Sequence, residues 1–203
     1  MSLKRSSSVR LKKFVLASVL AAVILLMWLV PFIGYIKVGV IEITLLMTPV
    51  AVGAITLGPM YGAILGGVFG LTSVLMAFLG VPSPSAFGTA LVGINPWFAV
   101  ILFMIPRILM GWLCGLIFKL LAKIDKTRIV SYIVASLAGA LLNTVLFMTA
   151  LVLLFGTTYL ADNFGDAVVI AAMTVVSLNV ILEAAACTVI GTAVAKALSK
   201  IKY

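Results

Sequence analysis

The chain has no histidine. It therefore lacks the commonest general base and metal ligand, which argues against intramembrane metalloproteases, Ser/His dyads, haem-bearing helices and imidazole proton relays. Cysteine is scarce as well: Cys114 and Cys187 both sit in apolar runs without CxxC spacing. They read as small buried hydrophobes rather than a redox pair or a disulfide framework. No GxxxxGK[ST] run occurs, so the chain brings no phosphate loop of its own. Charged residues make up only 9% of the sequence. With these absences no enzyme is expected, and no metal or cofactor.

What remains is apolar. Of 203 residues 65% are hydrophobic, and the mean hydropathy is +1.36. A helix needs about 20 apolar residues to cross roughly 30 Å of hydrocarbon, so this length holds six spans and leaves no extramembrane domain. The expected fold is an all-α membrane protein, one domain over residues 1–203, with six transmembrane helices at about 14–33, 40–57, 61–79, 98–121, 130–155 and 167–195. The basic start followed by an apolar run looks like a signal peptide, but the run is too long and reads as a retained span. Gly58-Pro59 makes the second and third spans a hairpin. Residues 80–97, with Pro82, Pro84, Pro96 and no charge, are expected to form a long loop.

Basic residues orient such a bundle. Five lie before residue 14, four between Lys119 and Arg128, and three are Lys196, Lys200 and Lys202, so twelve of the fourteen fall on one side. By the positive-inside tendency both termini face the cytoplasm. Lys37, Glu42, Asp162 and Asp166 fall on the other side. The net charge of +9 is thus a topology signal; binding nucleic acid would need a basic face on a folded domain that this layout does not contain.

Polar groups inside spans are expensive and by default face a cavity or a partner. Arg107 follows Pro106 in the fourth span; the proline removes a backbone donor and frees a carbonyl, predicting a kink. Asn143 in the fifth span and Asn179 in the sixth lie near the same depth, with Glu183 one turn beyond Asn179 and Ser136 and Thr144 adding polar atoms. One reading pairs Arg107 with Glu183 and uses the asparagines as glue between helices. The other makes them the polar lining of a small-molecule cavity. Asn95 and Trp97 at the outer mouth of the fourth span, and Glu42 and Thr44 at that of the second, are candidates for its rim, or equally for capping and interfacial anchoring.

Small residues form stripes: Gly62, Gly66 and Gly70 in the third span, Gly111 and Gly115 in the fourth, and Ala17 and Ala21, with Ala22 alongside, in the first. Such stripes let helix backbones approach closely.

The six-span layout, Ala17 to Ala21, the run IEITLLMTPVAVGAITLGPMYGAILGGVFG at 41–70, IPRILMGWLCGLIFKLL at 105–121, NTVLFM from Asn143 and NVILEA from Asn179 together resemble the substrate-binding S components of energy-coupling factor (ECF) transporters, bacterial vitamin importers. The resemblance implies a multi-pass protein of the bacterial cell membrane that captures a vitamin outside. It implies docking, through Ala17 and Ala21, onto a transmembrane coupling protein (the T component) driven by two ABC-type ATPases, and release of cargo inside by toppling. ATP is then used by the partners alone. Pantothenate-type members are the most similar, with riboflavin- and pyridoxine- or hydroxymethylpyrimidine-type members as alternatives. For pantothenate, Arg107 would meet the carboxylate, and Asn143 and Asn179 the amide and hydroxyl groups. A gradient-driven carrier or channel would instead show inverted repeats and titrating groups along a path, and a structural assembly subunit would bind no small molecule.

Overall fold

The computed structural model describes residues 2–30, 34–38, 41–125, 127–156 and 180–198. In chain order these form α1 (Ser2–Leu29), β1 (Tyr35–Val38), β2 (Ile41–Thr44), α2 (Met47–Leu57), α3 (Pro59–Leu79), α4 (Ala86–Ile94), α5 (Pro96–Leu121) and α6 (Ile129–Phe155), then α7 (Val180–Leu198). The helical architecture expected from hydropathy is present. Five helices among the described residues are long and apolar enough to cross a membrane: Val9–Leu29 of α1, and α3, α5, α6 and α7.

Two segments differ from expectation. The second span, expected over 40–57, is a strand followed by an 11-residue helix. At 1.5 Å per residue α2 covers about 16 Å, half of a bilayer core. Pro49 supplies the reason. Inside a longer helix it would remove a hydrogen bond and clash with the preceding turn, whereas in the first turn of α2 its missing N–H is one of those left unpaired anyway. The alternating β-branched residues before it form an antiparallel hairpin, with Tyr35 opposite Thr44, Ile36 opposite Ile43, Lys37 opposite Glu42 and Val38 opposite Ile41. The expected loop at 80–97 contains α4, which Ser85 starts by accepting the Gly88 amide on its hydroxyl at 3.3 Å.

Of the sixth span, residues 167–179 lie outside the described residues, while α7 runs on to Leu198.

α3 and α5 share the most extensive helix contact. Their glycines make it: a Cβ on Gly66 would run into the Arg107 carbonyl, and Gly62 and Gly111 back directly onto each other. A Cβ on Gly70 would come 2.9 Å from the Phe103 carbonyl. With no water inside a bilayer to drive helices together, such backbone proximity is what gains dispersion contacts. Gly58, at φ 109°, turns the chain from α2 into α3, a conformation that glycine adopts without steric penalty.

Apolar side chains fall into two buried clusters. The larger joins Leu20 and Ile24 of α1 and most of α2 to Leu65 and Phe69 of α3, Met110 and Cys114 of α5, Ala135 and Ala140 of α6, and Ala184 and Cys187 of α7. The smaller contains Ala77, Leu91, Ala99, Leu102, Phe103, Leu151 and Phe155. Both cysteines are buried and unbonded, as their apolar surroundings in the sequence suggested, and Cys114 Sγ donates to the Ala135 carbonyl at 3.1 Å. Large apolar side chains also cover the outside, among them Phe14, Leu26, Ile64, Val145, Leu153 and Val189, as lipid-facing surfaces require.

Candidate ligand-binding site

On α3, α5 and α6, four buried polar residues, Thr72, Ser73, Arg107 and Asn143, fall between the two apolar clusters. On α5 the smaller cluster ends at Phe103 and the larger resumes at Met110; Pro106 and Arg107 lie between. On α6 the buried members stop at Ala140 and resume at Leu151; Asn143 lies between, and Phe147, one turn on, packs against the smaller cluster. On α3 the hydroxyls of Thr72 and Ser73 both donate to the Phe69 carbonyl.

Arg107 is 9% exposed. A backbone N–H in a helix bonds the carbonyl four residues back, so Pro106 leaves the Leu102 carbonyl without its helical donor. Arg107 Nη1 donates to that carbonyl at 3.1 Å. Aromatic rings from three helices surround the guanidinium: its Cζ is 4.3 Å from the ring centroid of Phe147 on α6, 5.6 Å from that of Phe69 on α3 and 5.7 Å from that of Phe103 on α5. Phe147 and Phe103 are stacked at 6.1 Å and 27°, and Phe87 of α4 leans on Phe147 at 6.4 Å. Facing rings attract a cation by their quadrupoles, by ~2 kcal/mol or more when it is desolvated.

Asn143 is 8% exposed, and its side-chain oxygen is buried with no hydrogen-bond partner among the described residues. Most buried polar atoms are paired, so this oxygen calls for a donor. Asn143 and Phe147 are four residues apart on α6 and share a face.

Glu183, 5% exposed on α7, connects the interior to the hairpin: its Oε1 accepts the Thr44 amide at 2.6 Å. Thr44 thus enters through its backbone at the end of β2. The side chain of Glu42, and all of Asn179, lie outside the described residues.

The fourth-span rim candidates lie at the start of α5. Asn95 Oδ1 accepts the Trp97 and Phe98 amides at 3.1 and 3.2 Å, capping α5. Trp97 is 78% exposed, in the manner of an interfacial anchor. Ser136 is fully buried deeper on α6 and packs beside Gly191 of α7, so it belongs to a helix seam.

The alanine pair on α1 is not a shared outward stripe. Ala17, 8% exposed, points into the core with Leu20 and Ile24, and Ala21 is partly buried at its edge. The exposed small residues beside them are Ser18 and Ala22, also four apart. The helical period is the reason: 17, 20, 21 and 24 form one face, and α2 and α3 cover it.

Sequence reasoning missed the aromatic enclosure. Its signals were Phe103 one turn before Arg107 and Phe147 one turn after Asn143, but aromatic residues at helical spacing occur throughout an apolar chain.

Among the described residues, helices long and apolar enough to cross a membrane enclose a buried cation, an amide and a carboxylate, the architecture of a multi-pass membrane protein with a polar interior. The chain matches the ECF transporter, substrate-specific component family over residues 12–195 and belongs to it. It is 32% identical to the pantothenate transporter PanT of Leuconostoc mesenteroides over 164 residues, covering 78% of this chain and 76% of that one. It is 38% identical to the pantothenic acid transporter PanT of Lactococcus lactis subsp. cremoris over 152 residues, 70% of this chain and 74% of that one.

Proposed function

We propose that the chain is the membrane subunit that binds pantothenate from the outside and delivers it inward as part of an ATP-driven ECF importer. A coupling protein and two ATPases supply the partners and the energy. The observation that carries the reading is Arg107: a buried guanidinium at the level of an Asn143 oxygen that has no partner among the described residues, in a family of substrate-specific components whose relatives are named for pantothenate. Pantothenate is an anion with an amide, two hydroxyls and a gem-dimethyl group. A planar guanidinium suits its carboxylate, the Asn143 oxygen suits an N–H or O–H donor, and the rings around Arg107 suit the methyl groups. Asn179, four residues before Glu183 in the sequence, is assigned to the ligand's remaining polar groups, and Glu183 holds the hairpin through the Thr44 amide. A neutral isoalloxazine or a pyridine alcohol gives Arg107 no such counterpart.

Docking is assigned to the exposed side of α1, where Ser18 and Ala22 form the small-residue stripe and Ala21 its edge. Both termini face the cytoplasm in this reading, and the chain crosses the membrane six times.

The test is direct. Purified protein should retain or bind radiolabelled pantothenate in preference to riboflavin and pyridoxine, and vesicles should accumulate it only when the coupling protein, both ATPases and ATP are present. Preference for riboflavin or pyridoxine would change the assigned vitamin. Uptake by the chain alone would replace the importer by a gradient-driven carrier.

A further inference from the structure

Arg107 is a long side chain in a site that must present its charge in one direction, and two features of the fold bear on how it is held. The first is Pro106. Its missing N–H exposes the Leu102 carbonyl, and Arg107 Nη1 occupies that carbonyl at 3.1 Å. That bond draws one nitrogen of the guanidinium back along its own helix. The second is Phe147, whose ring centroid lies 4.3 Å from Cζ, closer than those of Phe69 and Phe103. Phe147 comes from α6 and is itself steadied by Phe103 and Phe87.

We propose that Pro106 and Phe147 are positioning residues that fix the plane of the Arg107 guanidinium, and that through it they set the site's preference for a carboxylate over an uncharged ligand. This rests on the pantothenate reading above. A carboxylate is bound in the guanidinium plane, through parallel N–H···O bonds, so its affinity depends on where that plane points. An alcohol in the same place makes one weaker bond and depends on it less. Phe147 lies one turn from Asn143 on α6, so a single helix face carries both the ring that orients the cation and the amide that meets the rest of the ligand. Replacing Pro106 by alanine restores an N–H that competes for the Leu102 carbonyl, releasing Nη1 while leaving a better helix. Replacing Phe147 by leucine retains apolar bulk but removes the face.

The probes are pantothenate and pantothenol, the alcohol that differs only at the carboxylate. The readout is the ratio of their Kd values, which lost packing alone would not move, because it weakens both ligands together. The parent should prefer the acid, and Arg107→Met should abolish the preference. Pro106→Ala and Phe147→Leu should each reduce it by about 5- to 30-fold, the size of a desolvated cation–ring contact. Phe147→Tyr should restore it. If Phe147→Leu does not fold, mono- to trifluorinated phenylalanine at position 147 keeps the shape while draining the ring's negative face, and the preference should fall with each fluorine. A parent that binds no pantothenate removes the functional reading and this inference with it. A parent that binds acid and alcohol alike overturns the inference alone. So does a preference that Arg107→Met abolishes but Pro106→Ala and the fluorinated series leave intact; the pantothenate reading then stands.

Discussion

Within the site, a buried polar atom counts by what it would lose. The Asn143 oxygen has no partner among the described residues, so a ligand donor that reaches it gains a hydrogen bond at no cost to the bundle. Asn143→Ala should weaken pantothenate binding by about 5- to 150-fold, since leaving the ligand's buried donor unpaired costs about 1 to 3 kcal/mol. Calorimetry on the purified protein, with melting temperature as the control for folding, measures it. Unchanged affinity with unchanged melting would make Asn143 a packing residue. Glu183 is different in kind. It accepts a backbone amide of the hairpin, so its removal is expected to loosen a segment rather than only subtract a contact.

At the scale of elements, α3 and α5 depend on glycine only where backbones meet. At Gly66 an added methyl meets the Arg107 carbonyl, whereas at Gly67 the nearest atom is Ile108 Cγ1 at 3.7 Å, an ordinary contact. Gly66→Ala should therefore lower stability by about 1 to 3 kcal/mol through overpacking. Gly67→Ala should be neutral or stabilising, because alanine favours a helix by up to about 1 kcal/mol over glycine. Thermal melting in detergent separates the two, and equal effects would mean that the α3–α5 contact tolerates a methyl at Gly66. α6 begins on a different device. Asp125 accepts the Ser131 amide at 2.9 Å and its hydroxyl at 3.2 Å, and the Thr127 amide and hydroxyl at 3.0 and 2.8 Å. These bonds, the Ser131 amide foremost, lower its pKa from 3.8 to about 2. Because the folded pKa lies below the unfolded one, the capping stabilisation is fully present above about pH 4 and is lost as pH falls through about 2. Protection of the Ser131 amide, taken relative to its intrinsic exchange rate, should fall over that window in the parent, while Asp125→Ala should be less protected above the window and show no acid step. A parent profile free of that step would remove the cap.

For the whole molecule, orientation and assembly are the open outcomes. In a cysteine-free background, Ser85→Cys should react with impermeant maleimide in intact cells and Lys126→Cys only after permeabilisation, as expected from basic residues held inside. The reverse pattern inverts the topology. On α1, Ser18→Trp or Ala22→Trp should leave pantothenate affinity within a few-fold of the parent but abolish ATP-dependent uptake and co-purification with the coupling protein, because a bulky side chain holds apart helices that pack by close approach. Ala17→Trp should instead unfold or loosen the chain, since that position lies in its own core. Intact uptake in both outward variants would move docking to another face.

How much was readable in advance differs from place to place. Composition alone placed the chain in a bilayer, because 65% hydrophobic residues cannot be covered by water-facing polar groups. Hydropathy located α3, α5 and α6 to within about two residues at most ends, since a lipid-facing helix must be apolar along its length. Gly62, Gly66, Gly70 and Gly111 were legible as a contact because their only asset is the absence of a side chain. The same apolarity concealed the rest. Where nearly every residue is hydrophobic, the period that separates inside from outside is faint, so Ala17 could not be told from Ala22 as the outward residue until α2 and α3 were seen packed on one side of α1. The hairpin was hidden in an apolar run whose strand character shows only in four-residue stretches. Arg107 was visible as a charge in the wrong solvent, and Pro106 as the source of a freed carbonyl. That the two satisfy each other, beneath a ring from a helix forty residues away, depends on distances in space, and only the folded chain sets those.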